Sequence, residues 1–483
     1  MIKTTEDIKE ALHGRMRALW PSLPIRSGVF ISSPGRVNLI GEHIDYNNCP
    51  VLPIAVDKRI VALVVAIPER SVKVADLDPR YESIEFSLEE YERLPEGLVP
   101  FKTGHWGNYI KAAVNELLSY SLKEGQERSV TNLSTGGDHV WECGFAMVFT
   151  STIPQAAGMS SSSALVVLST LALLEANDVS YSSFEQRLAL ADICRRAEWY
   201  VGTKGGGMDQ AAILMGKNRN AIKISFNPID AVLIPFEYDI AVVVAHSTVE
   251  APKTREMMDA YNRRSIECTL AGLIVAKLLQ NRYDIEHIRY IGDITPSKTG
   301  LEQSVLDAIV TDVFHEEPYQ IDEIASLLDM STDQVNRRYC KRKDGTQFPM
   351  PIEGFKLYQR FYHVWKEWRR VERSEQLLIQ GDIETFGTLM NDSHASCRDY
   401  HEVSCPELDM LTDIARSAGA LGSRLTGAGF GGCAVSLVRP NDLAAFTETL
   451  LHDYYGRNMR LDRANAEHHI FVVHPSQGAG RIE

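Results

Sequence analysis

Three loops concentrate the residue types that handle phosphates and hydroxyls. Residues 34–47, Pro-Gly-Arg-Val-Asn-Leu-Ile-Gly-Glu-His-Ile-Asp-Tyr-Asn, place Arg36, Glu42, His43 and Asp45 within ten positions. A sugar needs such a cluster, because each ring hydroxyl both donates and accepts. Arg36 adds a fixed positive charge suited to a phosphoryl oxygen or a carboxylate. A solvated, charged turn would have much the same composition. The second loop, Ile153-Pro-Gln-Ala-Ala-Gly-Met-Ser-Ser-Ser-Ser-Ala164, lies between a strand pattern and a helix pattern. Small residues such as Gly158 let backbone amides approach a phosphate, and the following helix adds its positive end. The hydroxyls of Ser160, Ser161 and Ser162 are suited to capping that helix or to ligating Mg²⁺. A serine-rich linker with a cap is the plainer alternative. The Gly-x-x-x-x-Gly-Lys-Ser/Thr phosphate loop is absent from the chain. The third loop, Leu425-Thr-Gly-Ala-Gly-Phe-Gly-Gly-Cys433, carries Gly427 and Gly429 and runs into a strand, where a dinucleotide loop would open a helix. A tight structural turn would read alike. Two acids complete the set: Glu198 near a helix end, and Asp209 eleven residues on, after Gly207. Phosphoryl transfer needs one carboxylate for Mg²⁺ and one for the acceptor hydroxyl.

Elements must hold these loops in place. Val29–Ser33 reads as a strand ending at Pro34-Gly35, Val51–Ile67 as one or two buried strands, and Phe145–Ser151 as another. Apolar periodicity predicts helices over 163–176, 185–200, 257–279, 358–372 and 383–394, with strands over 240–246 and 433–438. Without strict β-α-β alternation, this mixture favours an α+β fold. Loops at 220–240 suggest a boundary, giving domains 1–230 and 231–483, with a weakly patterned elaboration at about 284–354. Within it, residues 321–338 resemble a helix-turn-helix followed by Lys341-Arg342-Lys343. Asp322, Glu323, Asp329 and Asp333 dilute the basic face that DNA reading needs, so two short helices packed on the body are expected.

Composition narrows the class. Fifty basic and 64 acidic residues in 483 give a net charge of −14, which argues against a nucleic-acid or anionic-membrane surface. The eight cysteines are scattered, with no Cys-x-x-Cys pair, and read as reduced thiols. The N-terminus shows no signal-peptide pattern, and the longest apolar stretch, 164–176, is too short to span a bilayer. A cytoplasmic monomer is expected.

Together these segments resemble the GHMP kinase superfamily, and within it the galactokinase group. Residues 34–56 are similar to the galactokinase signature, 154–164 to the superfamily's ATP loop and 423–433 to its third motif. The resemblance extends through 105–109, 209–210, 261–264, 355–360 and 393–399, nearly the whole chain in order. It implies a two-domain GHMP kinase fold of the α+β class, with ATP and sugar in the interdomain cleft. By resemblance, Arg36, Glu42, His43, Asp45, Gly207, Asp209 and Tyr261 form the sugar side, with Asp209 beside the anomeric hydroxyl as base or orienting charge. Gly158 and Ser160 to Ser162 would wrap the phosphates, Ser162 and Glu198 would hold Mg²⁺, and Trp106 and Tyr109 would lie near adenine and ribose. Gly427 and Gly429 belong to the loop that closes over the site. The activity implied is transfer of the ATP γ-phosphoryl to O1 of galactose. Asn48-Cys49, Ile44, Ala156, Met159 and Trp199 depart from the common pattern, and the run Ser160–Ser163 is similar to the eukaryotic-type branch. That branch includes N-acetylgalactosamine kinases, so this activity stands as the alternative. A catalytically silent sugar sensor is a third reading, opposed by the presence of Ser160–Ala164, Glu198 and Asp209.

Overall fold

The computed structural model describes residues 4–93, 97–124, 141–154, 158–202, 205–249, 255–342 and 346–483, with segments 121–124 and 255–258 described by backbone alone. Gln155, Ala156 and Ala157 of the serine loop, and Lys343 of the basic run, lie outside the described residues.

The strands in chain order are β1 Val29–Ile40, β2 Leu52–Ile67, β3 Ser71–Asp76, β4 Ile84–Ser87, β5 Gly144–Ser151, β6 Asn220–Ser225, β7 Asp230–Pro235, β8 Ala241–His246, β9 Gly422–Thr426, β10 Cys433–Val438, β11 Ile470–Val473 and β12 Gly480–Arg481. The first sheet runs β12-β1-β2-β5-β3-β4, and only its β3–β5 pair is parallel. Alternation along β2 sorts its Val/Ile/Leu run into two layers. Val61, Leu63 and Val65 pack with Leu12 and Met16 of the helix Thr5–Leu19, while Ala62 and Val64 face the main core. That core contains the helix Ser161–Ala176, which is buried nearly all round and so is apolar on every side. The first strand does not stop at Pro34-Gly35 as its sequence suggested. A register shift between Pro34 and Arg36 absorbs the missing proline donor, and pairing with β2 continues to Ile40.

The second sheet, β11-β8-β10-β9, is antiparallel. One face, with Val243 and Ala245, packs on Leu411, Phe446 and Tyr454; Val242 and Val244 join the main core. The described residues between 284 and 354 include short helices, among them Gln303–Asp312, Ile321–Leu327 and Thr332–Tyr339, between the long helices Arg255–Tyr283 and Leu357–Gln380. Ile324 and Val335 of the helix-turn-helix look-alike are fully buried, and both of its helices pack on Arg255–Tyr283. Sheets and helices thus mix without β-α-β alternation, in an α+β fold.

The helix Ile383–Ser396 crosses β9 backbone to backbone. A Cβ on Gly387 would stand 2.5 Å from the Leu421 carbonyl, and one on Gly422 2.3 Å from that of Gly387. This approach sets the height of β9, which carries Arg424 and Thr426 toward β1. Gly387→Ala is therefore expected to lower unfolding stability by about 1–3 kcal/mol in urea titration. An unchanged midpoint would show that the crossing has slack.

Candidate active site

β1 delivers the first loop. Past its register shift, the Arg36 amide donates to the Met159 carbonyl at 3.2 Å, joining this strand to the serine loop. The buried Arg36 side chain donates from Nε to Asp209 Oδ1 at 2.7 Å and from Nη1 to the Gly158 carbonyl at 2.5 Å. Asp209 occupies the first turn of the helix Met208–Met215, behind Gly207 at its cap, where an acid suits the helix's positive end. Its Oδ2 accepts from Ser160 Oγ, and Ser163 Oγ lies 3.5 Å away. Ser160, in a left-handed conformation, caps the helix Ser161–Ala176. The first intrahelical bond there is Ala164 N to Ser160 O, so the amides of Ser161 to Ser163 precede the ladder.

The third loop meets the second backbone to backbone. Gly158 and Gly427 both have positive φ, 64° and 89°. A Cβ on Gly427 would stand 3.2 Å from the Gly158 carbonyl, and one on Gly158 3.1 Å from that of Thr426. A residue larger than glycine would push the two loops apart. Beyond Gly429, the Phe430 amide donates to the Val403 carbonyl at 2.6 Å.

Glu198 ends the helix Phe184–Ala197 and is buried. Its Oε1 accepts from Ser163 Oγ at 2.5 Å, and Gln210 Nε2 donates to the same hydroxyl at 3.4 Å. The hydroxyl that bonds Glu198 directly is therefore that of Ser163; Ser162, expected to share Mg²⁺ with Glu198, is half-buried, and Ser161 is exposed. Trp106 packs edge-on against Phe149 of β5, with ring centres 5.8 Å apart. Tyr109, close by on the helix Gly107–Glu124, has its hydroxyl pKa raised by burial and by the Glu198 charge.

On the sugar side, Asp45 Oδ2 accepts the Gly206 amide at 3.0 Å. His43 is buried, with Nε2 bonded to the Ala428 carbonyl at 3.1 Å and its ring 5.6 Å from that of Tyr261. Glu42 is buried deeper than a loop position suggests, and its Oε2 is held by Arg424 at 3.0 Å. A cleft of about 900 Å³ is lined by Asp45, Tyr46, Gly206 and Arg195 together with the Phe226–Asp230 loop. The structure thus gathers the expected residues at one junction, with Trp106 and Tyr109 to one side. Ser163 and Arg424 escaped the sequence reading. Ser163 was the fourth of four like residues, whereas Arg424 left a trace as a lone charge in an otherwise uncharged strand.

Three acids share this junction. Burial and then the Asp209 charge push Glu198 up to about 7 and Asp45 up to about 6. In the unfolded chain Glu198 titrates near 4.5, so between 4.5 and 7 the folded protein holds a proton that the unfolded chain has released. Its burial is therefore tolerated at low pH and penalised as pH rises through that window. Glu198→Gln is expected to match the wild type in thermal unfolding below the window, near pH 4. At pH 8, without ligand, it should exceed the wild type by up to about 3 kcal/mol. Parallel pH–stability curves would contradict the assignment.

Residues 25–65 match the galactokinase galactose-binding signature, residues 108–217 the GHMP kinases N terminal domain and residues 374–455 the GHMP kinases C terminal domain. A galactokinase of Dictyostelium discoideum is 30% identical over 479 residues, covering 93% of this chain and 89% of that protein. One of Saccharomyces cerevisiae is 31% identical, covering 92% and 90%. The crystal structure of Lactococcus lactis galactokinase complexed with galactose superposes with a TM-score of 0.72 at 25% identity, over 98% of this chain and 100% of that one. With all three family segments in order and near-complete coverage by such relatives, this chain belongs to the galactokinase family of the GHMP kinases.

Proposed function

We propose that this protein is an ATP-dependent sugar-1-kinase that transfers the γ-phosphoryl of ATP to O1 of D-galactose. The observation that carries the reading is the Arg36–Asp209 pair at the point where the serine loop, the glycine-rich loop and the sugar-side loop meet. In this reading the cleft lies between lobes 1–230 and 231–483, with Gly480–Arg481 lent back to the first sheet.

The amides of Ser161 and Ser162 and the backbone around Gly158, Gly427 and Gly429 receive the phosphates. Trp106 and Tyr109 flank the base and ribose. Asp45, Tyr261, Gly207 and Glu42 hold the sugar hydroxyls, with the His43 ring packed beside Tyr261. Arg36 orients Asp209, whose Oδ2 exchanges Ser160 for the O1 hydroxyl. As the O1 lone pair forms the bond to phosphorus, the bond to the β–γ bridging oxygen breaks and ADP leaves. The O1 proton passes to Asp209, and little activation of the nucleophile is needed. Arg36 balances the charge that develops beside it.

Mg²⁺ is part of the proposal. No cluster of three or more His, Cys, Asp or Glu suited to a metal exists among the described residues. A buried carboxylate, Glu198, bonded to Ser163 Oγ, with Ser162 the residue before that serine, fits a cation that would take its other ligands from water and phosphate. When bound, Mg²⁺ neutralises phosphate charge. No described helix is long and apolar enough to cross a membrane; a monomer acting on small molecules in the cytoplasm completes the proposal.

The test is a coupled ADP-release assay with galactose, N-acetylgalactosamine, glucose and mevalonate side by side. Galactose is expected to be turned over fastest; preference for N-acetylgalactosamine would move the acceptor assignment, and no turnover would leave a sugar-binding protein. Asp209→Ala and the better-matched Asp209→Asn are expected to lose about 10²–10⁴-fold in turnover while calorimetry still shows ATP binding. Near-wild-type turnover in both would remove Asp209 from the reaction.

A further inference from the structure

Behind the sugar-side loop lie three side chains, His401, His363 and Tyr46, that were given no role in the transfer described above. His401 ends a π-helical turn, Cys397–His401, that extends the helix Ile383–Ser396. Its ring centre stands 4.9 Å from that of His43 and 4.4 Å from that of His363, and all three rings are buried. The turn is held from two sides. Arg264, on the helix that carries Tyr261, donates to the His401 carbonyl at 3.2 Å, and Arg360 donates to the Tyr400 carbonyl.

Counting protons gives these contacts a direction. Burial holds His43 at about 3 and His401 well below the ordinary imidazole value, so each ring is neutral and carries one N–H. The Ala428 carbonyl can only accept, so His43 carries its proton on Nε2 and leaves a lone pair on Nδ1. The Tyr46 hydroxyl lies 3.5 Å from that Nδ1 and 3.0 Å from His401 Nε2, and it has one proton to give. Given to His401, it would force that ring's N–H onto Nδ1, a buried atom without a hydrogen-bond partner among the described residues, and leave His43 Nδ1 without its donor. Given to His43, it lets His401 Nε2–H supply the tyrosine oxygen. Only one bare lone pair then remains, and an orphaned buried N–H is the rarer defect.

We propose that His401 is a positioning residue for the transfer reaction. It starts a one-way relay from His401 Nε2–H to Tyr46 Oη, from Tyr46 O–H to His43 Nδ1, and from His43 Nε2–H to the Ala428 carbonyl. The relay latches the glycine-rich loop onto the sugar-side loop. What those loops hold rests on the function proposed above; the relay itself does not.

Nitrogen-15 NMR of histidine-labelled, ligand-free protein reads the relay directly. His401 and His43 should both be protonated at Nε2 and bare at Nδ1. An Nδ1–H tautomer at His401 overturns the proposal whether or not the protein phosphorylates galactose. In kinetics, His401→Phe keeps a ring in the stack and deletes the donor. It is expected to raise KM for both galactose and ATP about three- to tenfold with the thermal midpoint held. His401→Gln, whose amide donates from a similar reach, should restore both constants. Tyr46→Phe should reproduce the rise, and the double variant should be no worse than either single one. Unchanged KM values or additive losses overturn the relay. Should His401→Phe not fold, Tyr46→Phe and His401→Gln decide the outcome by the same criteria.

Discussion

The arrangement turns on one buried guanidinium. Arg424 is fully buried in β9, and its Nη1 donates to the Asn38 carbonyl at 3.1 Å and to Glu42 Oε2 at 3.0 Å. Its Nε reaches Ser393 Oγ at 3.1 Å. Ser393 passes the contact to Glu367 Oε1 at 2.5 Å, and that same oxygen accepts the Gly41 amide at 2.9 Å. Arg370 closes the group on Glu367 Oε2 at 2.6 Å. Two cations and two anions thus tie the sugar-side turn to β9 and to the helices Leu357–Gln380 and Ile383–Ser396. Desolvating four charges consumes most of their mutual attraction, so the net stabilisation is modest. Removing one member would strand a buried charge at a cost of about 3–5 kcal/mol. The group chiefly fixes where residues 41–45 lie, and with them His43 and Asp45.

The same economy of charge shapes the junction around Arg36. The chain carries a net charge of −14, and Asp45, Glu198 and Asp209 add three acids around Arg36. Burial and mutual repulsion raise two of those acids toward neutrality, which lowers the local negative charge before a polyanion arrives. Backbone amides at the start of the helix Ser161–Ala176 supply short-range positive potential that net charge does not report. An acidic protein and a nucleotide site are compatible because charges separated by more than about 8 Å are largely screened at physiological salt.

Much of this was legible in order along the chain. The serine loop, the glycine-rich loop and the Arg36–Asp45 cluster are local patterns, since a backbone that approaches phosphate needs small residues wherever it is placed. The long amphipathic helices and the Val/Ile runs of β2 and β8 were equally local. Less visible were the continuation of β1 past Pro34, which depends on what β2 offers opposite the shift, and the burial of Glu42, which depends on Arg424, 382 positions away.

By itself, then, the sequence determined which residue types are present and in what order: a loop of small and hydroxyl residues, a cluster of hydrogen-bonding side chains, and two acids eleven positions apart. Such features follow from side-chain type and short spacing. Tertiary structure alone decided which of several like residues does what. Ser163 bonds Glu198, Asp209 meets Arg36 across 173 positions, and Tyr46 stands between two imidazoles 358 positions apart. The physical reason is the steepness of the hydrogen bond: a partner must be placed within about 3 Å and aligned. Only packed elements, fixed by the crossing at Gly387 and by the Arg424 ion group, hold side chains from distant parts of a chain to that tolerance.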